Sequence, residues 1–193
     1  MPAIAKHRQP IIDSAVTLFR RQGYGGTGVA DVVELSGAPK GSLYHYFPDG
    51  KASIAVAAVE EAGRRVAETV AKLAKQTSCT GDLLKAHARL LAGWMSKSGF
   101  RDGCPITTVL LELAPKDHAV AKAGREAYAA RIALLSEKLM ADGFPAPRAA
   151  RLAGLCTSAI QGALIQARVE RSGAPLEQAA DELAQMLAAL PKE

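Results

Sequence analysis

The sequence is poor in the residue types that build sheets, disulfide frameworks and membrane spans. Only 5% of its 193 residues are aromatic, and its three cysteines, Cys79, Cys104 and Cys156, lie far apart without a CxxC pair. Neither a disulfide framework nor a structural zinc site is supported, so we predict no metal and no cofactor. No apolar stretch reaches the ~18–20 residues that span a bilayer, and the N-terminus lacks a signal-peptide core. We expect a soluble, cytoplasmic protein without a membrane partner.

Motifs of catalysis are also missing. The four histidines, His7, His45, His87 and His118, do not cluster along the chain, and there is no G-x-S-x-G, P-loop or H-E-x-x-H motif. We predict a protein that is not an enzyme and has no catalytic residues. A helical enzyme whose residues are scattered through the fold remains a remote alternative.

What the sequence does contain is helix-forming residues. Apolar residues make up 49% of the chain, alanine and leucine are abundant, and no alternating β-branched run occurs. This pattern predicts an all-α fold. Beyond residue 50, glycine, proline and polar breaks predict helices at about 50–74, 83–96, 106–113, 118–142, 148–171 and 175–190, with a loop at 76–82.

The first fifty residues predict three shorter helices. The first is expected from about Lys6 to Gln22, and Thr27 is expected to cap the second, which ends at Ser36 and Gly37. Pro39 suits the first turn of the third helix. The apolar residues expected to face inward from the second helix are Val29, Val32, Val33 and Leu35. Three helices with a glycine turn before the last are typical of a helix-turn-helix module, whose last helix enters a major groove.

The third predicted helix, within GAPKGSLYHYFPDGK, carries many hydrogen-bond donors in a short segment. Leu43 and Phe47 are spaced to anchor it, and Gly41 would let its backbone approach bases. The expected contacts to bases or phosphates come from Thr27, Lys40, Ser42, Tyr44, His45, Tyr46 and Lys51. The alternative is a small three-helix cap in which the tyrosines only pack. The net charge does not distinguish DNA binding from such a cap, because residues 1–51 hold six Lys or Arg against four Asp or Glu.

The segment TGVADVVELSGAPKGSLYHYF, residues 27–47, resembles the DNA-binding domain of the TetR family of transcriptional repressors, as does FRRQGY at 19–24. The resemblance implies a helix-turn-helix domain at 1–51, with Gly28 and Pro39 also at the DNA, and a helical regulatory and dimerisation domain at 52–193. It implies a homodimer on a palindromic operator in double-stranded DNA, acting as a repressor that a small hydrophobic molecule releases. An activator or a ligand-independent DNA-binding protein would use the same domain.

Two positions depart from the family pattern. Pro39 stands where the family usually has serine or threonine, which removes a hydroxyl contact. FPDGK also has one residue more than the usual spacing before Lys51. Together with GCPITTVLLEL downstream, this insertion resembles the LmrA-like branch of the family.

The rest of the chain offers candidates for a ligand pocket, with ordinary core packing as the alternative at each. The candidates are Trp94, Met95, Phe100, Cys104, Leu110, Leu113, Tyr128, Ile160, Gln161 and Ile165. Cys104 is either a sensor thiol or an inert, buried one. Glu112 either meets a cationic ligand or faces solvent.

The last two predicted helices carry small and apolar residues suited to close helix packing. We expect them to form a four-helix bundle with a second copy, although packing inside one chain would use the same residues. The residues concerned are Ala149, Leu152, Ala153, Cys156, Ala159, Ile160, Ala163, Leu176, Ala180, Leu183, Met186, Leu187 and Leu190.

Overall fold

The structure is a computed structural model that describes residues 6–192. All of the regular secondary structure in these residues is helical. The all-α prediction is therefore confirmed. No helix within these residues is long and apolar enough to cross a membrane. The helices are α1 Arg8–Gln22, α2 Val29–Ser36, α3 Lys40–Tyr46, α4 Lys51–Gln76, α5 Thr80–Lys97, α6 Pro105–Leu113, α7 His118–Ala141, α8 Ala146–Glu170 and α9 Ala174–Ala189.

The chain forms two compact units. The first unit comprises residues up to 64 together with 104–127, and the second comprises 65–103 together with 128–192. The chain thus leaves the second unit and re-enters the first between Gly103 and Cys104, directly before α6. These units reflect packing, whereas the boundary predicted at residue 51 concerns function and stays a prediction.

In the first unit, α1 packs against α2, α3 and α6. Its apolar face buries Ile11, Ile12, Val16 and Phe19, which recur at helical spacing. Gly23 ends α1 with φ 78°, and Gly37 ends α2 in the left-handed region with φ 63°. Both glycines hold backbone conformations that residues with a Cβ rarely adopt, which explains why the chain turns at these two points.

The start of α2 differs from the prediction. Gly28, not Thr27, is the N-cap residue, and the Asp31 carboxylate accepts a hydrogen bond from the Gly28 N–H at 2.7 Å. The Thr27 hydroxyl instead donates to the Gly23 carbonyl at 2.7 Å, and the Thr27 side chain is buried. Leu35 was also predicted to face inward, but its side chain is 53% exposed and only Val32 of this helix is fully buried.

In the second unit, α5 packs against α8 and α9, and α8 packs against α9. The predicted loop at 76–82 is shorter than expected, since α5 already begins at Thr80. Lys138 of α7 and Asp142, which directly follows α7, secure this connection. Lys138 donates to the carbonyls of Thr77 and Ser78, and Asp142 accepts from the Thr80 N–H at 2.7 Å. Sequence spacing could not reveal these bonds, because the partners are more than fifty residues apart.

Candidate nucleic-acid interface

Helix α3 has one buried and one exposed face. Leu43 is fully buried and Phe47, which ends the helix, is nearly so, as predicted. Lys40, Gly41, Tyr44 and His45 are exposed, and Ser42 is half-buried. Tyr46 was predicted to contact phosphate, but its hydroxyl oxygen is buried and does not point outward. The helix is therefore seated on the first unit by its apolar residues and presents a polar row outward. This is the arrangement that a groove-reading helix requires.

Gly41 has no structural reason to be glycine within the described chain. It is the second residue of α3, and no atom of the described chain beyond its own neighbours and the backbone of the helix lies within 4 Å of the position that a Cβ would occupy. A glycine inside a helix is about 1 kcal/mol less favourable than alanine. The glycine thus makes α3 less stable than an alanine would, and it leaves open space beside the backbone of α3.

Lys51 lies at the start of α4 and bonds back to the turn between α1 and α2. Its ammonium group donates to the carbonyls of Tyr24 at 3.0 Å and Thr27 at 2.9 Å, and lies 4.1 Å from the centre of the Tyr24 ring. The Thr27 side chain is also turned inward. Both residues hold this turn in place, so a direct phosphate contact by either one remains a prediction.

Sequence reasoning missed the partner of Glu112 in α6. Its carboxylate accepts hydrogen bonds from the backbone N–H groups of Tyr24 at 2.8 Å and Gly25 at 2.7 Å. Burial, followed by the nearby charges of Asp117 and Glu112, raises the pKa of the Tyr24 phenol. An acidic residue in the apolar helix PITTVLLEL was the only signal available, and it did not identify a partner 87 positions away in the sequence.

The residues predicted to bind a ligand divide between the two units. Cys104, Leu110 and Leu113 belong to the first unit and are half-buried. In the second unit Met95 and Ile160 are buried core residues, while Trp94 and Ile165 are 48% and 50% exposed. The remaining three, Phe100, Tyr128 and Gln161, are half-buried. Each residue's part in ligand binding stays a prediction.

A group of buried polar residues in the second unit was not predicted. His87 on α5, Arg131 on α7 and Thr157 on α8 are each at most 5% exposed. Burial, with the Arg131 charge as a smaller cause, lowers the pKa of His87 to about 3. Burial also raises the pKa of the Cys156 thiol to about 11, and a thiol that stays protonated is a poor nucleophile.

The residues assigned to a dimer interface from the sequence lie mostly inside the second unit. Most of the small and apolar residues of that set, among them Ala149, Cys156 and Leu176, are buried against α5, α8 and α9 of the same chain. A different stripe of α8 is exposed and apolar. It comprises Leu155, Ile165 and Val169, and Gly162 lies between them.

Comparison with known proteins identifies both parts of the chain. Residues 11–58 match the family described as bacterial regulatory proteins, tetR family, and residues 81–182 match the transcriptional regulator LmrA/YxaF-like C-terminal domain. An uncharacterized HTH-type transcriptional regulator of Mycobacterium tuberculosis is 35% identical over 94% of each chain. The HTH-type transcriptional regulator LmrA of Bacillus subtilis is 30% identical, over 88% of this chain and 90% of its own.

The fold agrees with these matches. The crystal structure of regulatory protein TetR from Rhodobacter sphaeroides superposes with a TM-score of 0.81, at 22% identity, covering 93% of this chain and 97% of that one. The chain therefore belongs to the TetR family of bacterial regulatory proteins, with an LmrA/YxaF-like C-terminal domain, and is a DNA-binding transcriptional regulator rather than an enzyme.

Proposed function

We propose that this regulator is a homodimeric repressor that reads a palindromic operator with α3 and releases it when a small hydrophobic molecule binds. The observation that carries the proposal is the outward polar row of α3, with Lys40, Tyr44 and His45 exposed above a buried Leu43. Lys40 supplies a cation at the first helical position, and the neighbouring hydroxyl and imidazole groups are donors suited to phosphates and base edges.

The open space beside Gly41 supports a close external contact. No neighbour within the described residues occupies it, and a helical glycine brings no advantage to the isolated fold. Duplex DNA against this face would exploit the missing side chain. We therefore assign the base-reading position to the backbone of α3 around Gly41, with Lys40 and Ser42 beside it.

Dimerisation follows from the small size of α3. One helix of 7 residues makes few base contacts, and a twofold dimer doubles them on a palindromic site. The exposed stripe of α8 supports a second copy as the partner, because Leu155, Ile165 and Val169 fall on one side of the helix. Gly162 on the same side has open space around it, which favours close helix approach.

The double substitution Lys40→Ala with Tyr44→Phe tests the assignment of α3. We expect operator affinity to fall at least tenfold and the salt slope to become shallower by about 1, since one phosphate or base contact by a cation is lost. Fluorescence anisotropy across a salt series measures both, with Lys97→Ala as a surface control. Unchanged affinity and slope in the double variant, with thermal stability intact, would show that α3 does not read DNA.

Release by a ligand is tested separately. A panel of hydrophobic small molecules is screened for a rise in melting temperature, and each positive compound is added to the protein–operator complex. We expect at least one compound to raise the melting temperature and to dissociate the complex, because a ligand that prefers the free protein shifts the equilibrium away from DNA. Stabilisation without dissociation would contradict release.

A further inference from the structure

Two backbone donors of the turn between α1 and α2 converge on one carboxylate. The Tyr24 N–H donates to Oε1 of Glu112 at 2.8 Å, and the Gly25 N–H donates to Oε2 at 2.7 Å. Both distances fall in the range of charge-assisted hydrogen bonds. Successive N–H groups that face one anion form a concave backbone site of the kind known as a nest. In this chain a side chain from α6 fills that site.

The turn and the carboxylate fit each other closely. A Cβ at Gly23 would lie 2.6 Å from Oε1 of Glu112, and a Cβ at Gly25 would lie 2.9 Å from Oε2. A larger residue at either position would push the carboxylate away. Gly23 and Gly25 thus both make room for Glu112. Gly23 has a second purpose, since its backbone has a positive φ.

The carbonyl groups of the same turn are bound from elsewhere. The Lys51 ammonium bonds the carbonyls of Tyr24 and Thr27, so an acid from α6 binds the donors of the turn and a base from α4 binds its acceptors. The turn leads directly into α2, and α2 leads through Gly37 into α3. Fixing the turn therefore restricts the orientation of the two helices that follow it.

We propose that Glu112 is a positioning residue for operator binding, holding the α1–α2 turn so that α3 is presented in one orientation. The proposal rests on the DNA-reading role given to α3 above.

The test compares Glu112→Ala and Glu112→Gln with the matched control Glu126→Gln, which changes an exposed acid in the same unit. The probe is a duplex selected from a random pool by the wild-type protein. We expect Glu112→Ala to weaken binding about tenfold, with Glu112→Gln intermediate and Glu126→Gln unchanged, as expected for loss of charge-assisted bonds. Adding acetate to Glu112→Ala, against chloride at equal ionic strength, should restore part of the affinity.

A second measurement separates positioning from general destabilisation. Amide exchange followed by NMR should become faster at Tyr24 and Gly25 in Glu112→Ala, while the amides of α1 stay protected. Wild-type affinity in Glu112→Ala, or a loss that acetate does not reverse and that accompanies unfolding of the whole unit, would overturn the proposal. Unchanged binding in Lys40→Ala with Tyr44→Phe would instead overturn the role of α3, so the two failures are distinguishable.

Discussion

Gly41 is the residue at which the stability of α3 and the proposed reading of DNA would oppose each other. The residue is helical, exposed and without neighbours at its missing Cβ. Nothing in the isolated protein opposes an alanine there, and the helix would gain from one. Only an external surface close to the backbone of α3 would make the methyl group unfavourable.

Gly41→Ala is expected to raise stability while weakening operator binding. The gain should be up to about 1 kcal/mol in the free energy of unfolding, from the higher helix propensity of alanine. Thermal unfolding and anisotropy on the same preparation measure the two effects. Gly93→Ala in α5, where a Cβ also meets nothing, is the control and should stabilise without changing DNA affinity. Full affinity in Gly41→Ala would contradict close backbone approach at this position.

His87 makes the stability of the second unit depend on pH. Its pKa is about 3 in the folded protein against 6.5 for an unperturbed histidine, because burial disfavours the cation and the Arg131 charge adds to this. The unfolded chain binds the proton more readily, so this contribution is complete above pH 6.5 and is lost progressively as the pH falls toward 3. Between pH 7 and pH 5 the free energy of unfolding should fall by about 2 kcal/mol.

Denaturant unfolding at the two pH values checks this loss. His87→Leu should flatten the difference between pH 7 and pH 5, whereas His118→Gln, at an exposed position, should leave it unchanged. A pH dependence that survives in His87→Leu would assign the effect to other groups.

Among the helices, the spacing of apolar residues and the positions of glycine and proline predicted most of the fold. Glycines at 23 and 37 and prolines at 39 and 48 marked the ends of the first three helices, because these residues restrict the backbone locally. Leu43 and Phe47 were correctly placed in the core from their spacing alone. The capping prediction that failed is local: the Thr27 hydroxyl donates to the Gly23 carbonyl instead of capping α2. Contacts across the fold were not predicted, since Glu112 and Lys51 bind backbone groups of a turn far away in sequence.

The candidate site shows the same limit. The exposed row of α3 was predictable from residue types, but the residues that support it were not, since their partners are backbone groups without a sequence signal. The dimer prediction meets a related limit. Small and apolar residues on α8 and α9 identify helix packing but not the partner, and most of those residues pack inside the chain.

The exposed stripe of α8 leads to a prediction about the oligomeric state. We expect the wild-type protein to sediment at about twice 20.2 kDa at micromolar concentration. Leu155→Glu with Val169→Glu should give a monomer, because charges in an apolar interface lose solvation without gaining partners. Glu170→Gln, beside the stripe, is the control. A double variant that remains dimeric would place the interface elsewhere.

On the scale of the whole molecule, the claim is that a twofold dimer reads DNA with two copies of α3. Such a protein matches the symmetry of its operator, and the half-sites fall about one helical turn, or a multiple of it, apart. The branch to which the C-terminal part belongs fixes neither the operator nor the effector, since both depend on individual side chains. The bound sequence itself therefore carries the most information.

The most direct test is selection of bound duplexes from a random pool by the protein, followed by sequencing. A twofold dimer that reads DNA with α3 should give a strongly enriched inverted repeat, and the enrichment should disappear with Lys40→Ala and Tyr44→Phe. Enrichment of no motif, of a site without twofold symmetry, or of the same repeat by the double variant would contradict this mode of binding.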